Sequence, residues 1–518
     1  MRKSIMRKLT ASLGCLLLIV SVSAAAAVSV PNIIGDHMVL QEGKSLPIWG
    51  KADPGEKVSV TFNKKTASAV ADAKGKWMVK LLKMKGGGPF EMTIAGKGNT
   101  LKLSDILVGE VWVGSGQSNM QMSVNGSNDP EKEIAAANYP EIRLFYVKRT
   151  VAGEPEDNCE GSWTVCSPQS VPEFSAVLYF FGRELHKELK LPVGLIHTSW
   201  GGTPAESWTS RPTLEKDSDL KYMVEDWDKT LAEYPKAKEA YDKALAEWQK
   251  AAEKAKADGQ PEPKKPGEPR GPDNPWRPSG LFNAMIAPLT PFAISGAVWY
   301  QGESNAGRAY QYRKLFPAMI EDWRRAWGQG PFPFYFVQLA NFTDALPEPA
   351  DSDWAELREA QTMTLALKNT GMAVIIDIGE AKDIHPKNKQ DVGKRLALNA
   401  LEKVYDKEAA FSGPMYKAMK VKGNAVEIKF YHADGGLVAK GGGALKGFAI
   451  AGSDKKFVWA DAKIEGKKIV VSSGKVAQPL SVRYAWANNP ECNLYNGAGL
   501  PASPFRTDDW QGVTYGKK

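Results

Sequence analysis

Histidine and cysteine are scarce in this chain of 518 residues, with five of the first and four of the second. Only Cys159, Cys166 and Cys492 lie beyond residue 27, and no Cys-x-x-Cys pair occurs, which argues against a zinc ribbon or a scaffold built on disulfides. Cys159 and Cys166 are spaced to close a small loop in an oxidising compartment; packing as reduced thiols is the equal alternative. The one long apolar run, residues 9–22, is shorter than the ~20 residues of a membrane span. No short segment is strongly basic with interleaved aromatics, and half of the net charge of +8 belongs to four cations within residues 1–27, so nucleic acid is not implied. The Gly-x-Ser-x-Gly turn of lipases is missing, as is any repeat of fixed period.

What is present begins with Arg2, Lys3, Arg7 and Lys8, then the apolar run, then small residues. That order reads as a secretory signal peptide over residues 1–27, cleaved near Ala25 to Ala27. The mature protein is therefore expected to be secreted or periplasmic, with no membrane anchor. Residues 28–105 alternate apolar and polar positions between turn signals, predicting an N-terminal β domain. From residue 106 short apolar runs alternate with helical patterns, the texture of βαβ units and a parallel sheet. Residues 211–275, rich in Ala, Lys and Glu and then in Pro, interrupt it as a helical hairpin with an extended return. The α/β texture therefore covers residues 106–210 and 276–406, and a second β domain follows over 407–518.

Ligands collect at the carboxyl ends of strands in such sheets. Four predicted strand ends carry polar groups. The first follows the apolar residues 106–113 and breaks at Gly114 and Gly116, presenting Ser118 on a tight turn at the start of a helix. The second carries Gly201 and Gly202, the third Gln301 to Asn305, and the fourth Asp383 and His385. A serine needs a base to be a useful nucleophile, and imidazole is the usual one. His37 and His432 lie in the β segments, His186 is mid-helix, and His197 sits inside a strand where a core role is expected. His385 remains, with Asp383 two residues before it to orient the ring.

Gly116-Gln-Ser-Asn-Met120, Ser199-Trp-Gly-Gly-Thr-Pro-Ala-Glu-Ser-Trp208, Trp299-Tyr-Gln-Gly-Glu-Ser-Asn305 and Asp383-Ile-His-Pro386 together resemble the sialate O-acetylesterase family. That family belongs to the SGNH hydrolases and is related to carbohydrate acetylesterases that act on plant polysaccharides; the likeness runs from about residue 28 to the C-terminus. It implies a flavodoxin-like three-layer α/β/α domain with a parallel sheet, no metal and no organic cofactor. Ser118 matches the nucleophile and His385 the base. The Ser118 and Gly202 N–H groups and the Gln301 amide match the oxyanion donors, with Asn305 as competitor to Gln301. Family spacing places the acid at Lys382, so Asp383 is the choice, with Glu380 and Asp377 as alternatives. Glu303, Asn305 and Arg308 are candidate substrate contacts, and Arg506 is a second candidate for a sugar carboxylate. The expected activity is removal of O-acetyl groups from sialic acid or plant-type polysaccharide. The expectation from a different class is a secreted carbohydrate-binding protein with an inert cleft. Neither reading specifies an oligomeric state.

Overall fold

One strand, Thr100–Gly116, joins the two kinds of texture. Its first six residues alternate between exposed and partly buried, and the eleven that follow are all buried. Alternation marks a sheet with one wet face, whereas unbroken burial marks a sheet covered on both. The strand accordingly pairs antiparallel with Gly87–Ala95 in its first half and sits between parallel neighbours in its second. The expected boundary between residues 105 and 106 thus falls inside a continuous element.

The computed structural model describes residues 27–433 and 435–518; the expected signal peptide lies, but for Ala27, outside the described residues. In the central sheet the order is Thr370–Val374, Phe334–Gln338, Gly296–Tyr300, Thr100–Gly116, Val193–Ser199, Tyr139–Tyr146 and Trp163–Cys166. The first six are parallel and the last is antiparallel to its neighbour. Because the chain returns through helices between parallel strands, both faces are covered. Ala176–Leu189 packs against Lys389–Tyr405 on one side, at a distance set by Gly393: a Cβ there would lie 2.6 Å from Phe180 Cβ. Ser175 and Asn388 cap these two helices by accepting the N–H of Leu178 and Asp391. The core between the layers is aromatic, with Trp112, Trp299, Trp323 and Tyr335 fully buried.

Before the central sheet, Leu46–Lys51 pairs with Lys76–Leu81, and Lys57–Phe62 pairs with both Lys65–Val70 and Gly87–Ala95, all antiparallel. After it come two four-stranded antiparallel sheets with their own apolar core around Ile428, Ile450, Ile469 and Val482. The fold is thus mixed α/β with a central mixed sheet and additional β-sheet regions.

The expected helical hairpin is corrected. Residues Tyr222–Ala257 form one helix of 36 residues, with Pro235 accommodated inside it. Only Met223, Val224 and Trp227 are buried; the rest is held by Ala, Lys and Glu propensity and by pairs such as Lys238–Asp242 and Glu239–Lys243. Nothing in its sequence supplies the turn a hairpin needs. Cys159, Cys166 and Cys492 are free, and burial pushes the first two thiols up to about 12. Among the described residues no helix is long and apolar enough to cross a membrane.

Candidate active site

The parallel register brings Gly116, Ser199 and Tyr300 to one level, so the loops that follow them share one end of the sheet. Gly116 has φ +140°, and a Cβ on it would stand 2.1 Å from the Tyr300 carbonyl oxygen. No side chain fits there, which is why the elbow needs glycine at this position. Gln117 N–H then donates to that carbonyl at 3.0 Å, and Ser118 opens a single helical turn, Ser118–Gln121.

Ser118 Oγ lies 2.9 Å from His385 Nε2, across 267 positions of sequence. The loop carrying His385 is closed on itself: Asp383 Oδ1 accepts the His385 N–H at 2.9 Å, and Glu380 Oε1 accepts the Lys387 N–H at 3.0 Å. Asp383 Oδ1 is also 3.5 Å from His385 Nδ1, with both side chains partly exposed. Asp377 is taken up elsewhere, by Arg395 at 2.6 and 2.8 Å and by the Tyr495 hydroxyl at 3.0 Å. Of the three acids considered, the structure brings Asp383 against the ring.

On the facing loop, Gly201 N–H donates to Gln121 Oε1 at 2.7 Å, and a Cβ on Gly201 would lie 3.3 Å from Ser118 Cβ. Gly202 follows with φ +72° and open space where a side chain would project; its N–H makes no hydrogen bond among the described residues.

Five expected contacts are corrected. Gln301 is fully buried, and its Nε2 protons are spent on Asn305 Oδ1 at 2.6 Å and Thr203 O at 3.3 Å, so its amide is no oxyanion donor. Asn305 is buried beside it and donates to Glu206 Oε2. Arg308 is held by Glu206 at 2.6 Å and by Gln311, and Arg506 by Glu359 and the Trp510 carbonyl. Glu303 reaches inward: its Oε1 accepts Asn119 Nδ2 at 2.6 Å, and its Oε2 has no partner among the described residues. Gln301, Asn305 and Glu303 build the floor of the site and are bonded to protein groups, with Glu303 Oε2 left unpartnered among the described residues.

That floor contains residues sequence reasoning passed over. Asn119, next to Ser118, donates to Glu303 and to the Ile384 carbonyl at 2.9 Å, and accepts from Lys389 Nζ at 2.5 Å. Lys389 is fully buried, with its ammonium 5.1 Å from the Tyr300 ring centroid. Burial holds its pKa down to about 7 against the pull of Glu303, and burial raises Glu303 in turn. The signal available was an adjacent Asn in the elbow and a Lys opening the helix after His385; neither declares a partner. His197 is buried as expected, bonded to Ser199 Oγ at 2.6 Å and kept neutral by burial, its pKa lowered to about 3.

Comparison with known proteins makes the class specific. Residues 273–402 match the family model described as carbohydrate esterase, sialic acid-specific acetylesterase. A solved carbohydrate acetylesterase from Xanthomonas citri shares 37% identity and superposes with a TM-score of 0.80, covering 93% of this chain and all of that one. The protein is a carbohydrate O-acetylesterase. It is also 32% identical to mouse sialate O-acetylesterase over 95% of its own length and 96% of the relative's, and 30% identical to the human one over 93% of each. The chain belongs to the sialate O-acetylesterase family. These relatives do not favour the non-catalytic, carbohydrate-binding expectation.

Proposed function

We propose that the chain hydrolyses O-acetyl esters of sugars by two-step acyl transfer on Ser118. His385 Nε2 takes the hydroxyl proton as Ser118 Oγ attacks the acetyl carbonyl carbon. The tetrahedral oxyanion accepts from the N–H groups of Ser118 and Gly202, each such donor being worth roughly 10²–10³ in rate. Collapse breaks the bond to the sugar oxygen, which leaves with the proton from His385. Water, deprotonated by the same imidazole, attacks the acetyl-enzyme, and acetate departs as Ser118 recovers its proton. Asp383 holds the ring tautomer with the proton on Nδ1.

The observation that carries this reading is the 2.9 Å contact between Ser118 Oγ and His385 Nε2 at the carboxyl ends of parallel strands. Strand order supports an SGNH-type, flavodoxin-like catalytic unit. Numbering Thr100–Gly116, Val193–Ser199, Gly296–Tyr300, Phe334–Gln338 and Thr370–Val374 in chain order, the sheet reads 2-1-3-4-5, with Tyr139–Tyr146 added beyond the second. In this reading residues 106–210 and 276–406 do the chemistry, 211–275 are an insertion, and 28–105 and 407–518 flank it. The basic, then apolar, then small-residue start of the chain supports export. Acetylated sialic acid and acetylated plant-type glycans both fit this chemistry. Ser118→Ala tests the reading: release of acetate from an activated acetyl ester disappears while circular dichroism and melting stay as in the wild type. Retained turnover removes Ser118 from the mechanism.

A further inference from the structure

The reacting groups leave a neighbouring cavity unexplained. It measures about 670 Å³ and lies where Tyr139–Tyr146 ends, on the nucleophile's side of the sheet. Its walls include Gln121, Tyr146, Arg149 and Glu173. Gln121 stands three residues after Ser118 and fixes Gly201, so a sugar whose acetyl group lies on Ser118 has this cavity as its adjoining space.

Arg149 is exposed at this wall. Among the described residues, Arg149 and Arg270 are the arginines that form neither a hydrogen bond nor an ion pair. Arg308 and Arg506, by contrast, are consumed by Glu206 and Glu359. The Arg149 guanidinium is 5.8 Å from the ring centroid of Trp200, the residue directly before Gly201. An indole under a guanidinium orders it without using its N–H donors. Those donors form a planar fork that suits a carboxylate. The neighbouring Lys148 is paired with Glu160, and Glu173 is held by Asn125, so neither neutralises Arg149 directly. Glu173, which also lines the cavity, repels an anion and leaves Arg149 as the favoured place for it.

We infer that this cavity is the glycan subsite and that Arg149, seated on Trp200, binds the carboxylate of an acidic sugar. The carboxylate belongs either to the acetylated sugar itself, as in a sialic acid, or to a uronic acid beside the acetylated residue. The inference rests on the Ser118 esterase reading and adds to it the residue that sets the preference for an acidic over a neutral acetylated sugar.

The test measures acetate release by wild type, Arg149→Gln and Arg149→Lys from three substrates. These are O-acetylated N-acetylneuraminic acid, acetylated glucuronoxylan oligosaccharides and neutral acetylated xylo-oligosaccharides. Arg149→Gln is expected to lower kcat/KM on an acidic substrate at least tenfold more than on the neutral one, chiefly through KM. Arg149→Lys restores part of the difference, since it keeps the charge and loses the fork. Added salt raises the wild-type KM on that acidic substrate and leaves the neutral one flat. The acidic substrate that responds identifies the source of the carboxylate. Equal losses on all three, or none, overturn the inference while leaving the esterase reading intact. Failure of that reading shows differently, as acetate release that survives Ser118→Ala, and it takes the inference with it.

Discussion

The Ser118–His385 pair and the Asn119–Glu303–Lys389 cluster are neighbours in sequence and space, yet water reaches the first and not the second. At the rim, the His385 side chain is 40% exposed and Asp383 is 47% exposed. Beneath it Lys389 and Asn119 are shielded, and Glu303 and Lys389 carry charges that burial opposes. The rim groups are free to meet a substrate but have few contacts to hold them. The buried groups cannot meet one, but Asn119 ties the backbone beside His385 to the residue after Ser118. Reactivity and rigidity are thus divided between two layers one residue apart, the lower layer bearing the cost of buried charge so that the upper one stays aligned.

The division is broken most severely at the rim. His385→Gln removes the proposed base and is expected to lower kcat by at least about 10⁴, with the melting temperature little changed, as steady-state kinetics and calorimetry will show. Below, Lys389→Met strands the Glu303 carboxylate and should cost about 3–5 kcal/mol of stability in denaturant titration, much of it recovered by adding Glu303→Gln. The same variant carries a pH signature. With Lys389 held to about 7 against an ordinary 10.5, the unfolded chain binds more protons across that window, so stability contributed through this group rises with pH and the rise vanishes in Lys389→Met. Asn119→Ala frees the Ile384 carbonyl and is expected to lower kcat up to about 10²-fold with KM nearly constant, the mark of misplaced reacting groups. The smallest effect falls on Asp383→Asn. A buried triad acid is worth about 10⁴, but this one is half-exposed and 3.5 Å from the ring, so kcat should fall about tenfold. A loss near 10⁴ would mean that Asp383 closes on His385 when substrate binds.

The rim was more legible in the sequence than the floor. Ser118 stands out because a buried strand breaks at two glycines just before it, and His385 because few histidines compete. The change from alternating to unbroken burial along Thr100–Gly116 was visible as texture, although one strand spans what reads as a boundary. Gln301 and Arg308 misled because part of what takes up their donors, Thr203 and Glu206, lies 98 and 102 positions earlier, where no local pattern records it. Asn119 and Lys389 stayed hidden for the same reason, their hydrogen bond spanning 270 positions. Arg149 shows the converse: what marks it is that among the described residues it has no hydrogen-bond or ion-pair partner, which only a fold can reveal.

The most direct test of the central claim is covalent capture of the proposed nucleophile. Exposure of the wild-type enzyme to an activated phosphonate ester, followed by peptide mass spectrometry, is expected to give one adduct, on Ser118, forming at least about 10²-fold more slowly in His385→Gln. Labelling at another residue, or equal rates in the two proteins, would contradict the pairing of Ser118 with His385.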